Sequence, residues 1–367
     1  MIIESADIFL FELPLIKTYT TSFAEIKSKR SIIAKLTASG FVGYGEGATL
    51  PFPFYVPDYA DVSFLVLKKY ILPRIIGVDV DNPASLCDLM SHIKGYSFAK
   101  TAVETAFWDL YSQMLDKPLR EILGGDRNEV EVGGAIGIIK NRDQFLKEVD
   151  ANVNKNVPRL KIKIEPEWDL EPVKLIREKY PHLPLLVDAN SAYTLDDINL
   201  FKNLDEYNLM MLEQPLAWND IVDHAELQAQ IETPVCLDES ILSAEDARKA
   251  LKIGACKIIN IKPGRVGGLT EAKKIHDLCR ENNVGVWCGG MLECSVGRFF
   301  NLSIASLPGY IYPADMSSSE HYFADDIVVN KYIVQGKTTK VPDFLSEFCV
   351  DEDKLCKYTV ESASASD

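Results

Sequence analysis

The sequence lacks any CxxC pair, and its five histidines show no metal-binding spacing. Its eight cysteines are scattered, a pattern that suits reduced thiols in a cytosolic protein better than a disulfide frame or a zinc site. Basic residues are also short. Lys and Arg number 39 against 54 Asp and Glu, a net charge of −15, which argues against a nucleic-acid backbone or an anionic membrane surface as partner. An anionic small molecule stays open, because a local cluster of cations can override the mean field. No uninterrupted apolar run approaches the roughly 20 residues that span a bilayer. The N-terminus, "MIIESADIFLFELPLI", carries Glu4, Asp7, Glu12 and Pro14 where a leader would be basic, so a soluble, cytoplasmic protein is expected. The stretches "GRVGG" and "LGG" lack the strand–GxGxxG–helix context of a nucleotide site.

What is present is rhythm. The first hundred residues read as α+β, with "SIIAKLTASGFVGYGEG" forming a hairpin about Ser39-Gly40. From Ser97 the apolar spacing becomes helical through Met114, about five turns. After residue 126 short apolar runs recur: "EVGGAIGII", "RLKIKI", "LPLLVDAN", "NLMMLEQP", "PVCLDES", "CKIINIKPG", "VGVWCGG" and "YIYPAD". Most are separated by ten to fifteen residues of helical character, roughly what a βαβ crossover needs. Eight strands alternating with helices indicate a parallel barrel. At 126–320 it is slightly short of the usual ~200 residues, so a helix is missing or supplied from elsewhere. The tail "ESASASD" is small and polar, and disorder is expected there.

Active groups of such barrels sit at the C-terminal strand ends. Those ends carry Lys163, Asp188, Glu213, Asp238 and Lys262, with the three acids 25 residues apart. Even spacing places them on consecutive strand ends, where three carboxylates would repel unless a cation joins them. An all-oxygen set favours Mg²⁺, with Mn²⁺ as the alternative. Each acid taken singly reads more readily as a helix N-cap, although Glu213, before Gln214-Pro215, is a poor one. In "RLKIKI", Lys161 and Lys163 share one face of an extended chain. A solvated edge strand would explain that as well. If the strand lines the barrel instead, two neighbouring ammonium groups lower one another's pKa, and Lys163 becomes a candidate base. Lys262 then faces it across the barrel. Two lysines beside a metal suit abstraction of a proton α to a carboxylate and stabilisation of the enediolate.

The motifs "KIK", "DAN", "EQP", "DES", "NIKPGRVGG" and "GGMLE" resemble, in order, those of the muconate-lactonising subgroup of the enolase superfamily. More narrowly they resemble the o-succinylbenzoate synthase / N-succinylamino acid racemase family. The likeness covers nearly the full chain. It implies an α/β fold: a (β/α)7β modified TIM barrel over 126–320, under an α+β capping domain built from 1–125 and a returning segment, 321–367. It implies Mg²⁺ on Asp188, Glu213 and Asp238, Lys163 and Lys262 as the acid/base pair, and Lys161 as electrostatic partner. Asn190 and Glu239 would support them. Ser22 and Phe23, in the loop with Thr20 and Thr21, would close over the substrate beside Ala135, Gly290 and Met291. Arg265 reads as a pocket cation, as a modulator of Lys262, or as a salt bridge on the following helix. The activity implied is dehydration to 2-succinylbenzoate on the way to menaquinone, or racemisation of an N-succinylamino acid by the same residues, or another epimerisation of the same subgroup, on a small anionic carboxylate. A homo-oligomer is expected. The segment Ser317–Tyr322 and "PDFLSEF" depart from the family pattern, leaving the substrate open.

Overall fold

A computed structural model describes residues 1–21 and 24–366. Ser22 and Phe23, both expected at the substrate, lie outside the described residues. The cap is a four-stranded antiparallel sheet in the order β11–β1–β2–β3, with β1 Ser5–Thr20, β2 Glu25–Ala38, β3 Phe41–Gly47 and β11 Thr359–Ser366. The β2–β3 hairpin turns on Ser39 and Gly40, both at positive φ (54° and 80°), the backbone of a type I′ turn whose twist matches that of the strands.

The tail corrects the expectation of disorder. Residues 359–366 run antiparallel to β1, Ser5 opposite Ser366 and Phe11 opposite Thr359. Composition suggested too little apolar surface to fold, but the alternation matters more. Ala363 and Ala365 rest on the core beneath the sheet, and β1 supplies the backbone hydrogen bonds.

One face of the sheet packs on α1, Ser97–Leu115. The close approach depends on Gly43, Gly45 and Gly47. A Cβ on Gly45 would lie 2.3 Å from the Ala102 carbonyl oxygen, and those on Gly43 and Gly47 would lie 2.4 Å from the carbonyl oxygens of Ala106 and Phe98. Period two on a strand and period four on a helix advance by similar distances, about 6–7 Å, so the three glycines meet three successive helical turns.

The rest is a barrel. Strands β4 Gly134–Ile136, β5 Leu160–Lys163, β6 Leu185–Asp188, β7 Leu212–Glu213, β8 Val235–Leu237, β9 Ile258–Ile261 and β10 Gly285–Cys288 form one parallel sheet in chain order. Helices α2 Arg142–Asn154, α3 Leu170–Lys179, α4 Ile198–Leu204, α5 Val222–Gln228, α6 Ala244–Ile253, α7 Leu269–Glu281 and α8 Ser295–Ala305 follow the strands in turn. Residues 310–315 close the ring, bridging β10 through Val286–Tyr310 and the entry to β4 through Val132–Ala314. Seven strand–helix units and this eighth segment make a (β/α)7β barrel. Leu186, Met211, Cys236, Ile258 and Trp287 form a separate apolar cluster. Their positions on β6, β8, β9 and β10, and just before β7, put it on the barrel axis, beneath the charged strand ends. Among the described residues no helix is long and apolar enough to cross a membrane.

Candidate active site

"RLKIKI" is a barrel-lining strand and not a solvated edge: every residue of β5 is buried, between β4 and β6. Leu160 and Ile162 pack in the outer core, so the opposite face carries Lys161 and Lys163 inward. Period two also puts Arg159 on that inner face, a residue sequence reasoning passed over. Its guanidinium is fully buried, pairs with Asp315 at 2.5 Å and lies 5.1 Å from the centre of the Trp287 ring. The three cations thus climb β5 from the barrel interior to its mouth.

Lys163, Asp188 and Glu213 are lateral neighbours in the strand register. Lys161 reaches Asp188 Oδ2 at 2.7 Å, Glu213 Oε2 at 2.8 Å and Asp315 Oδ2 at 3.1 Å. Lys163 reaches Asp188 Oδ2 at 2.5 Å and donates to Asn190 Oδ1. Asn190 passes its own amide to Glu239 Oε1 at 2.9 Å, which brings the two expected supporting residues together. Across the ring, four strand positions from β5, Lys262 follows β9. It pairs with Asp238 at 2.8 Å and donates to the Tyr55 hydroxyl at 3.1 Å.

The two lysines of β5 differ, which corrects the expectation that each lowers the other. Burial alone would lower Lys161, but Asp188, Glu213 and Asp315 outweigh it and hold its pKa well above the usual lysine value. Lys163 is lowered, by burial first and by the charge of Lys161 next. Lys262 is raised despite its burial, with Tyr55, Glu213 and Glu239 favouring the ammonium. Burial and the charge of Asp188 push Glu239 up to about 7.

Arg265 is fully buried, pairs with Asp238, and donates to the Tyr55 hydroxyl at 3.2 Å and to the carbonyls of Ile241 at 2.8 Å and Asn260 at 2.6 Å. The cavity at the barrel mouth is lined by Lys161, Lys163, Lys262 and Asn190, and by Ala135, Gly290 and Met291. Tyr19, Leu50, Tyr55 and Arg298 complete much of its wall. Tyr55 reads in sequence as one packing aromatic among several, and only the fold puts its hydroxyl 3.2 Å from Asp238. Asp315 ends the eighth segment, "YIYPAD", so the strand-end rule that found the other acids would have found it too.

Among the described residues no three carboxylate, histidine or cysteine side chains gather closely enough to hold a metal ion. The physical reason is visible: Lys161 and Lys163 neutralise Asp188 and Glu213, while Lys262 and Arg265 neutralise Asp238. The donor set nonetheless fits a hard divalent ion. Asp188, Glu213, Asp238 and Glu239 offer only oxygen, and Glu239 Oε2 is buried without a hydrogen-bond partner.

Residues 6–124 match the N-terminal domain of the mandelate racemase / muconate lactonizing enzyme family, and residues 144–345 match the enolase C-terminal domain-like family. The chain therefore belongs to the enolase superfamily of enzymes, which generally use Mg²⁺. Within it, the chain is 43% identical to an o-succinylbenzoate synthase of Bacillus subtilis, covering 98% of this chain and 97% of that one. It is 40% identical to an N-succinylamino acid racemase of Thermus thermophilus, over 94% and 93%. An enolase-superfamily structure from Listeria innocua superposes with a TM-score of 0.96 at 38% identity, covering 100% of this chain and 99% of the other.

Proposed function

We propose that the protein is a Mg²⁺-dependent o-succinylbenzoate synthase, which dehydrates 2-succinyl-6-hydroxy-2,4-cyclohexadiene-1-carboxylate to 2-succinylbenzoate. The observation that carries this reading is the placement of Lys163 and Lys262 on opposite sides of one cavity, above a row of carboxylates. Asp188, Glu213 and Asp238 would hold the divalent ion, which when bound supplies a positive field for the substrate carboxylate.

Lys163, as the free amine, takes the proton from the carbon bearing the carboxylate, and the electron pair of that C–H bond moves into the carboxylate as an enediolate. Lys262, clamped as a cation by Asp238 and Tyr55, opposes the developing charge. The pair then returns to the ring as the C–O bond to the neighbouring hydroxyl breaks. The same Lys163 gives its proton to that hydroxyl, which leaves as water, and the ring becomes aromatic. Lys161 remains charged throughout and disfavours a second ammonium at Lys163.

A second reading is N-succinylamino acid racemisation, in which the two lysines exchange protons on opposite faces of one carbon. The racemase relative supports it. The unequal surroundings of the lysines, one lowered and one held as a cation, suit either reaction, and the synthase relatives at 43% identity support the synthase as the main activity. The test is loss of diene absorbance on adding purified protein, with Mg²⁺ and then with chelator. Chelator-sensitive loss supports the synthase. With no loss of absorbance the synthase reading fails and the racemase is the one to assay.

A further inference from the structure

Lys29, on β2, is completely buried, although lysine is rarely buried without a partner. Its ammonium donates to the carbonyl of Thr49 at 2.6 Å and to that of Met291 at 2.7 Å. Burial lowers its pKa, and Glu46 and Glu293 oppose that by favouring its charge through space. Burying an ammonium is costly, and an apolar side chain of similar length would fill the same space without that cost. What the charge provides is two strong hydrogen bonds to backbone that nothing apolar could make.

Those two carbonyls belong to loops from opposite halves of the molecule. Residues 48–55 leave β3 in the cap; residues 289–294 leave β10 in the barrel. Leu50 and Tyr55 from the first, and Gly290, Met291 and Leu292 from the second, line the cavity that holds Lys163 and Lys262. Ile26, on the same strand as Lys29, lines it too. The far end of the barrel loop has its own anchors. Glu293 accepts from the Met291 N–H at 2.9 Å and pairs with Arg298 at 2.9 Å, and Glu46 accepts from the N–H groups of Cys294 at 3.1 Å and Gly297 at 3.0 Å. Beside the Lys262–Tyr55 hydrogen bond, Lys29 adds a second tie between the walls, joining the Met291 carbonyl of the barrel loop to the Thr49 carbonyl of the cap segment.

We propose that Lys29 is a positioning residue whose ammonium sets the separation of the Leu50 and Met291 walls, and so the fit of the non-reacting part of an anionic substrate. This rests on the reading of the cavity as the active site. Lys29 does not line the cavity itself, so its effect falls on binding more than on proton transfer.

The test compares the full-length protein with Lys29→Met and Lys29→Arg, measuring kcat and KM for chelator-sensitive dehydration of the diene and deuterium uptake in residues 48–55 and 289–294. The expected result for Lys29→Met is a KM raised about tenfold with kcat within about twofold, with faster uptake in both loops together. Lys29→Arg, which keeps charge and donors, recovers most of both. A Lys29→Met variant with unchanged KM, or with kcat alone reduced, or with unchanged uptake in the two loops, overturns the proposal. Should Lys29→Met not fold, Lys29→Gln, which keeps an amide donor, carries the same comparison. If the unmodified protein turns over no diene, the reading of the reaction fails and the uptake data alone decide the tie between the loops. Turnover by the unmodified protein with an unchanged KM in the variant fails the Lys29 proposal alone.

Discussion

Lys161 and Lys163 meet on a single oxygen, Oδ2 of Asp188, at 2.7 and 2.5 Å. Two ammonium groups on one carboxylate oxygen are tolerable because Glu213 and Asp315 share Lys161. The consequence is a division of labour: Lys161 is locked as a cation, and its charge bears on Lys163.

Removing that cation leaves the buried Asp188 and Glu213 and the partly buried Asp315 without their common partner. Lys161→Met is expected to destabilise the metal-free protein by about 3–5 kcal/mol, the usual cost of breaking a buried pair. Adding Mg²⁺ should then raise its melting temperature by more than it raises that of the unmodified protein, because a second cation can take the place of the first. Thermal melts with Mg²⁺ and with chelator decide this. An equal metal-induced shift in both proteins would show that Lys161 does not compete for the carboxylates.

The cap–helix contact makes a prediction remote from the chemistry. Gly45→Ala puts a Cβ 2.3 Å from both the carbonyl oxygen of Ala102 and the amide nitrogen of Ala106, backbone that cannot step aside. A loss of at least about 1–3 kcal/mol is expected, read as a lower urea midpoint with activity per folded molecule unchanged. Gly40→Ala, at a turn open to solvent but at φ 80°, should cost less.

Asp109, buried on α1, accepts the Tyr44 N–H at 3.0 Å, and burial pushes its pKa up to about 7. A raised carboxyl favours folding fully below its unfolded value near 4, and that contribution is lost as pH rises through about 7. Asp109→Asn, which keeps an acceptor for Tyr44 without the charge, should therefore match the unmodified protein in acid and be more stable than it at pH 8. Denaturant melts across this range check the sign. A variant less stable at pH 8 would mean that the carboxylate is paired there.

Much of this site was legible from period and position. Strand ends at even spacing pointed to Asp188, Glu213 and Asp238, and two-residue alternation pointed to Lys161 and Lys163. The structure places all five with Lys262 at one barrel mouth. The charge state of Lys161 was not legible, because alternation names neighbours on one strand and is silent about carboxylates arriving from three others. Tyr55 and Lys29 are cap residues, and nothing local to "FPFYVP" or "EIKSKR" reports that a distant loop will meet them. Arg159 and Asp315 lay within reach of rules already in use. The tail failed for the opposite reason: its composition suggested disorder, while Ala363 and Ala365 carried a weak but sufficient alternation.

The most direct test of the central claim is the diene dehydration rate of Lys163→Ala beside that of the unmodified protein, both with Mg²⁺. The variant should fold, since Lys161 still pairs with Asp188 and Glu213. If Lys163 is the base, kcat falls by about 10²–10⁴-fold. A rate within about tenfold of the unmodified protein would be too small a loss for a general base, and would mean that the proton leaves by another route.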